Sequence, residues 1–157
     1  EAFNLIKEDY ELWICGEGSM KSTVLNYANN DRRIKYYGLI KREDVLVLQK
    51  KATLLINPRR PDAEYTKYSF PSKTMEYMAS GTPTVMYHLP CIPPEYDDFL
   101  IYIPDISIKS LCTTVVHWCS KKQEELNEFG ERAKQFILKN KNSVIQTKKI
   151  IDLIEAL

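Results

Sequence analysis

Short apolar runs alternate with amphipathic segments along almost the whole chain, and this alternation restricts the fold more than any single residue does. Runs without a polar break are typical of strands buried on both faces, whereas apolar residues at a spacing of about three or four are typical of helices. Parallel strands need a crossover between them, usually a helix. The sequence therefore predicts an α/β fold, a Rossmann-like parallel sheet with helices on both faces.

The elements follow from where each pattern begins and ends. The predicted strands are residues 10–16, 34–37, 52–57, 83–87 and 100–103. The predicted helices are residues 19–29, 42–51, 72–80, 108–120, 122–139 and 143–157, and residues 1–6 also have a helical pattern. A chain of 157 residues has the size of one domain and buries about two thirds of the surface of the extended chain.

The segment from Phe70 to Val85 combines a loop, a short helix and a buried strand. Pro71 has no N–H to donate, Ser72 can cap the helix, and Gly81 is suited to end it. The first turn of such a helix presents free N–H groups and the positive end of the helix dipole, where an anion is stabilised without a metal. We therefore predict a phosphate-binding site at the start of this helix.

Glu76 lies one turn into the same predicted helix. An ionised carboxylate only accepts hydrogen bonds, so it suits the two vicinal hydroxyls of a ribose. The alternative is that Glu76 is a surface residue that only aids solubility. Arg59 and Lys67, in the polar segment 58–68, also have two possible interpretations. Either they are solvated loop charges, or they supply positive charge to a diphosphate.

Composition argues against several classes of partner. Lys and Arg number 22 and Asp and Glu number 21, so a net charge of +1 gives no electrostatic reason to expect a nucleic acid. No apolar run reaches the roughly 18 residues of a membrane span, and the first residues lack the pattern of a secretory signal. We therefore predict a cytoplasmic location.

The four cysteines have neither the density of a disulfide scaffold nor Cys-x-x-Cys spacing. We expect reduced thiols, with Cys15 acting as a small apolar side chain inside the first strand. His88 and His117 also lack partners at metal-ligand spacing, so no metal site is predicted.

Three segments resemble the C-terminal, nucleotide-binding half of GT-B glycosyltransferases, in particular glycosyltransferase family 4. Residues 70–85 resemble the family motif in which a Glu is followed by Ala-x-Gly-x-Pro. Residues 12–18 look like its strand that ends in a Gly-x-Gly turn, and residues 34–40 look like its short strand before the base-contacting loop. The order and the spacing of the three segments agree with the family.

The resemblance implies where the nucleotide part of a donor would lie. Glu76 would hold the ribose, and the backbone N–H groups of Ser72 and Lys73 would hold the distal phosphate. Arg59 would then add countercharge to the diphosphate.

The resemblance also assigns positions around this core of the site. Gly16 and Gly18 would form the glycine turn beside the ligand, for which an ordinary strand-to-helix turn is the alternative. Ile40 would follow the short strand at the base-contacting loop. Tyr68 occupies the position where the family has its first Glu, which contacts the donor sugar.

The implied function is the donor-binding half of a retaining hexosyltransferase. Its substrate would be a nucleotide sugar, UDP-linked, with no further cofactor. A polysaccharide or glycolipid acceptor would bind through a separate N-terminal domain, and the full enzyme could lie at the inner face of the cell membrane. The alternative is a non-catalytic α/β module that binds a nucleotide or a partner protein at the same crevice.

In the strand order of this fold family, 3-2-1-4-5-6, the first strand lies at the centre. That strand would precede residues 10–16 of this chain. We expect that strand and the acceptor domain to lie outside the 157 residues, so that the chain is a single donor-binding domain, inactive alone. Three explanations of the gap remain open. Residues 10–16 pair directly with residues 52–57, a strand from outside the sequence fills the gap, or the register along the family is shifted by one unit.

The last two predicted helices are amphipathic, and their polar faces mix Glu with Lys. This pattern favours packing over the sheet rather than binding to a membrane surface. An apolar stripe left uncovered would be an interface with the other domain.

Overall fold

The computed structural model describes residues 1–156, which form five strands and seven α-helices. The strands are β1 (Leu12–Cys15), β2 (Ile34–Gly38), β3 (Leu55–Asn57), β4 (Thr84–Tyr87) and β5 (Ile101–Ile103). The helices are α1 (Ala2–Leu5), α2 (Lys21–Asn30), α3 (Arg42–Lys51), α4 (Ser72–Ser80), α5 (Ile108–Cys119), α6 (Gln123–Asn140) and α7 (Ser143–Glu155). Short 3-10 helices cover Glu64–Lys67 and Pro94–Phe99. The predicted strands and helices are all present, although several bounds differ by a few residues.

The strands form two parallel sheets, one of β1 and β2 and one in the order β3-β4-β5. Leu12 lies opposite Ile34 in the first sheet, and Leu55 lies opposite Thr84 in the second. Helices connect the strands and lie on both sides of them. This arrangement confirms the predicted α/β, Rossmann-like class.

Of the three explanations left open, direct pairing of residues 10–16 with residues 52–57 does not occur in the part of the chain that the structure describes. β1 pairs only with β2, and β3 pairs only with β4. Each of these edge strands therefore presents one row of backbone N–H and C=O groups without a strand partner. Direct pairing is thereby excluded as the explanation of the missing central strand.

Helices connect the two sheets. α3 contacts α4, and the Thr82 hydroxyl just beyond α4 donates to the backbone carbonyl of Gln49 in α3 at 2.8 Å. α1 contacts α5. Arg33 anchors the first residues, because its Nη1 donates to the carbonyls of Ile6 and Glu8 at 2.8 and 3.0 Å.

The hydrophobic core lies in the half of the molecule that contains β4. Every residue of β4 is buried. Val85 and Met86 of β4 are fully buried together with Met78 of α4. Burying side chains of this size contributes about 1.5–3 kcal/mol each. The rings of Phe99 and Phe136 stack at a centroid distance of 4.4 Å and extend the core toward α6.

α6 packs closely against the end of α4 at a glycine. A Cβ atom on Gly130 would lie 1.9 Å from the carbonyl oxygen of Gly81, so no larger residue fits there without a backbone shift. Gly81 itself has a φ of +83° and ends α4, as predicted. Glycine adopts this left-handed conformation without steric cost.

Cys15 lies in the first strand as predicted, but it is exposed, so the prediction that it acts there as a small apolar side chain is wrong. The reason is that β1 is an edge strand that ends at this residue. All four cysteines are free thiols, as expected. Burial raises the pKa of Cys119 to about 11, so this thiol is protonated and unreactive near neutral pH.

The two last helices differ in burial. α6 buries Leu126, Ala133 and Ile137, as expected of a covering layer, whereas α7 buries no residue. Val144 and Leu153 of α7 are 75% and 66% exposed, so its apolar stripe is uncovered. Within residues 1–156, no helix combines the length and the apolar character needed to cross a membrane.

Candidate functional site

Two glycines lie together at the carboxyl ends of β1 and β2. The N–H of Gly16 donates to the carbonyl of Gly38 at 2.7 Å, and the Tyr36 hydroxyl donates to the carbonyl of Gly16 at 2.8 Å. Gly16 has a φ of +115°, and a Cβ atom placed on it would meet nothing within 4 Å. Its conformation therefore requires glycine, and open space lies beside it. Gly18 also borders open space but has no left-handed φ, so nothing in its backbone requires glycine.

The turn after β2 exposes apolar surface at the same edge. Leu39 is 80% exposed and Tyr37 is 43% exposed, while Ile40 is half-buried. Gly38 makes the turn with a φ of +64°. An exposed apolar turn of this kind is a surface against which a planar ring can pack.

The N-cap of α4 lies one residue earlier in the chain than predicted. Pro71 is the N-cap, with extended backbone, and Ser72 is the first helical residue. The Ser72 side chain makes no capping hydrogen bond, so its predicted capping role is wrong. Proline, with its fixed φ, takes the cap position and leaves the Ser72 backbone inside the first turn.

The first turn of α4 has free donors. Thr74 N–H donates to the carbonyl of Pro71 at 2.8 Å. Within residues 1–156, the N–H groups of Ser72 and Lys73 have no acceptor, as the geometry of a helix start requires. Both residues are exposed. Two N–H groups and the helix dipole therefore provide positive potential at the helix start, and Lys73 adds a positive charge in the same turn.

Asn57 and Thr74, which the sequence analysis did not single out, fix this turn to the sheet. The Asn57 amide at the end of β3 donates to the Thr74 hydroxyl at 3.2 Å, and Thr74 is fully buried. The backbone N–H of Arg59 donates in turn to Asn57 Oδ1 at 3.4 Å. An Asn that ends an apolar strand directly before a proline was the only sequence signal of this role.

Arg59 lies next to the segment that leads into α4. Its Nη1 donates to the carbonyl of Ser69 at 3.0 Å, and its guanidinium lies 4.7 Å from the centroid of the Tyr65 ring. The guanidinium has five N–H donors, so most of them are left for a ligand. Lys67 is exposed, and the Tyr68 side chain is 83% exposed, so the structure leaves both on the surface of the loop.

Glu76 is held by two residues of α3. Its Oε1 accepts from Gln49 Nε2 at 2.7 Å, and its Oε2 lies 3.9 Å from Arg42 Nη2. The Glu76 side chain is 34% exposed. Glu76 is therefore a partly enclosed, hydrogen-bonded carboxylate and not a freely solvated one.

Gln49 is the least expected residue of the site. It is 5% exposed, and its Oε1 is buried without a hydrogen-bond partner among the described residues. The sequence contained one indication of a buried polar residue. Gln49 continues the helix face of Val45 and Leu46, where an apolar residue is usual.

The Lys73 ammonium of α4 affects the pKa of Cys15 at the end of β1. Partial burial raises the pKa of the Cys15 thiol, and the Lys73 ammonium partly opposes this rise. Burial raises the pKa of Tyr77, and the Glu76 carboxylate and Cys15 add to the rise.

Gly16 and Ile40 lie in the turns after β1 and β2, whereas Arg59, Ser72 and Glu76 lie on or beside α4. Two cavities lie apart from these residues. A cavity of about 510 Å³ lies beside Phe99 and Phe136, and another of about 470 Å³ lies beside Arg33. Neither includes a predicted site residue. Across residues 1–156, no three His, Cys, Asp or Glu side chains are grouped so that they would hold a metal ion.

Comparison with known proteins gives one positive result. Residues 1–121 match the family model described as Glycosyl transferases group 1. The matched residues include β1 to β5, α4 and every predicted site residue. No curated protein matches the chain significantly.

Proposed function

Because the chain belongs to the group 1 glycosyl transferases, which move a sugar from a donor to an acceptor, we propose that it is the donor-binding domain of a retaining hexosyltransferase. In this proposal it forms the C-terminal half of a GT-B enzyme of glycosyltransferase family 4. The observation that carries the proposal is the pairing of a free helix start at Ser72 with a fixed carboxylate, Glu76, one turn further on.

The diphosphate of the donor binds at the start of α4. The N–H groups of Ser72 and Lys73 donate to phosphate oxygens, and Arg59 and the Lys73 ammonium balance the charge. These donors also stabilise the negative charge that develops on the leaving nucleotide. Positive charge from protein groups serves here in place of a divalent metal. Catalysis then comes from positioning and from this stabilisation, and we assign no protein nucleophile.

The nucleoside lies between α4 and the turn after β2. Glu76 accepts hydrogen bonds from the ribose hydroxyls, as its acceptor-only chemistry allows. The base lies against the exposed turn that contains Leu39 and Ile40, and the Gly16 turn leaves room beside it. Gly18 follows in the same open loop, and Tyr68 faces the sugar from the opposite loop.

The donor is a UDP-linked hexose that needs no further cofactor, and the acceptor is a polysaccharide or glycolipid. A separate N-terminal domain holds the acceptor, and the uncovered apolar stripe of α7 is surface suited to contact that domain. The reaction takes place in the cytoplasm, at the inner face of the cell membrane. The domain alone holds no acceptor and therefore gives no turnover.

A sixth parallel strand completes the donor domain between β1 and β3. Among residues 1–156, β1 and β3 each have a single strand partner, and this supports the proposal. Such a strand would join the two sheets into the order β2-β1-new-β3-β4-β5 and would end at the same edge as the site.

The test is calorimetric titration of the full-length protein with UDP-, GDP- and ADP-linked sugars. We expect the UDP-linked donor to bind at least tenfold more tightly than the other two. Failure of all three to bind would overturn the proposed function, and tighter binding of a GDP- or ADP-linked sugar would overturn the assignment of the base.

A further inference from the structure

Gln49 is a buried polar residue whose amide group has a single partner. Its Nε2 donates to Glu76 Oε1 at 2.7 Å, and its Oε1 is buried without a partner in the part of the chain that the structure describes. A buried amide oxygen without a hydrogen bond lowers the stability of a fold. An apolar side chain of similar size at position 49 would avoid this cost, so stability alone does not explain Gln49.

The contact does have a clear effect on Glu76. A carboxylate on a helix surface turns freely about its terminal bond. The amide fixes one oxygen of Glu76 from the protein side, while Oε2 has, among residues 1–156, only the Arg42 guanidinium at 3.9 Å. Arg42 is 82% exposed, so this second contact is weak and easily displaced. The result is a carboxylate with one held oxygen and one accessible oxygen.

We propose that Gln49 is a positioning residue that orients Glu76 for the vicinal hydroxyls of the donor ribose. The inference rests on the proposed function, because it assigns to Glu76 the ribose of a nucleotide sugar. Gln49 acts through Glu76 and contacts no substrate itself. Its contribution is to hydroxyl recognition, and not to phosphate binding at the start of α4.

The backbone of Gln49 has a separate, structural contact that supplies a control. The Thr82 hydroxyl donates to its carbonyl oxygen at 2.8 Å and joins α3 to the end of α4. Thr82→Val removes this bond but leaves the Gln49 amide and Glu76 in place. A residue that only stabilised the contact between α3 and α4 would behave as Thr82 does.

The experiment measures the dissociation constants of UDP and of 2′-deoxy-UDP for the full-length protein by calorimetry. The quantity of interest is their ratio, since a loss of general stability or of phosphate binding changes both constants alike. We expect the wild-type protein to prefer UDP by roughly tenfold or more, the effect of one charge-assisted hydrogen bond. In Gln49→Met the preference should fall at least threefold, whereas in Thr82→Val the preference should remain while the melting temperature falls.

Gln49→Glu provides a second variant of nearly unchanged size. The introduced carboxyl group donates to Glu76 only when it carries a proton, and two ionised carboxylates at this distance repel each other. The preference for UDP should therefore be weak at pH 8 and should recover as the pH falls toward 5. Wild-type protein measured over the same range is the control.

The outcomes separate the inference from its premise. A wild-type preference for UDP that survives unchanged in Gln49→Met and is independent of pH in Gln49→Glu overturns the role of Gln49 and leaves the proposed function intact. Absence of any preference in the wild-type protein overturns both the role of Gln49 and the ribose assignment of Glu76.

Discussion

At the scale of single residues, the site depends on hydrogen bonds between residues that are far apart in the sequence. Glu76 and its partner Gln49 are 27 residues apart, and Asn57 and its partner Thr74 are 17 apart. Glu76 could be predicted because a local motif, a helix start followed by a carboxylate, carries its chemistry. The other three residues could not, because their roles depend on how α3 and β3 pack against α4.

Arg59 allows a direct test of how the diphosphate is bound. Arg59→Ala should weaken the affinity of the full-length protein for UDP by roughly ten- to a hundredfold, because a charge-assisted hydrogen bond contributes about 1.5–3 kcal/mol. Calorimetry in excess EDTA should give the same wild-type affinity as calorimetry without it. Both results follow if protein groups, and not a metal, balance the phosphate charge.

Arg60 is a suitable matched control for Arg59. It is the next residue, and its guanidinium is paired with Asp62 at 3.0 Å on an exposed part of the loop. Arg60→Ala should leave the affinity nearly unchanged. If EDTA abolishes binding while Arg59→Ala has no effect, a divalent metal is the countercharge and the assignment of Arg59 is wrong.

At the scale of elements, the sequence predicted the order of helices and strands well but their contacts poorly. The bounds of α3 and α4 agree with the prediction, because charged residues mark both ends of α3, while Pro71 and Gly81 flank α4. β3 is shorter than predicted, since Ala52 is the C-cap of α3 and not part of a strand. Apolar residues alone do not distinguish a strand from the extended chain that leads into it.

The contact between α4 and α6 is an element-scale feature that sequence periodicity does not reveal. Gly130→Ala would place a methyl group against the carbonyl of Gly81, which forces the two helices apart. Overpacking of this kind costs about 1–3 kcal/mol, more than the stabilising effect of alanine in a helix. Chemical denaturation should therefore show a less stable variant.

The control for Gly130→Ala is an exposed position on the same helix. Glu128→Ala introduces the same side chain, and the wild-type residue is exposed. That variant should be as stable as the wild-type protein within about 0.5 kcal/mol. Equal or higher stability of Gly130→Ala would show that α4 and α6 do not approach each other as described.

At the scale of the whole molecule, two sheets stand where one was predicted. The alternation of strands and helices specified the class of fold, but the number of strands in a sheet depends on which neighbours are present. Among residues 1–156, β1 pairs only with β2 and β3 pairs only with β4, so the two sheets stay separate. The sequence analysis stated this gap and left its explanation open, and the structure excludes direct pairing.

Hydrogen exchange of the isolated chain of 157 residues can test this description. Backbone N–H groups on the unpaired edges of β1 and β3 should exchange rapidly, while those of β4, which has a strand on each side, should be protected. In a longer chain that supplies the proposed sixth strand, β1 and β3 should become as well protected as β4. Equal protection of β1, β3 and β4 in the isolated chain would contradict the two-sheet arrangement.

The most direct test of the central claim, a nucleotide site built on α4, is the affinity of Glu76→Gln for UDP. The substitution keeps the size of the side chain and removes its charge, so the account predicts a loss of roughly ten- to a hundredfold in a calorimetric titration of the full-length protein. Glu124→Gln makes the same change at an exposed position of α6 and should have no effect. An unchanged dissociation constant in a folded Glu76→Gln variant would contradict the account.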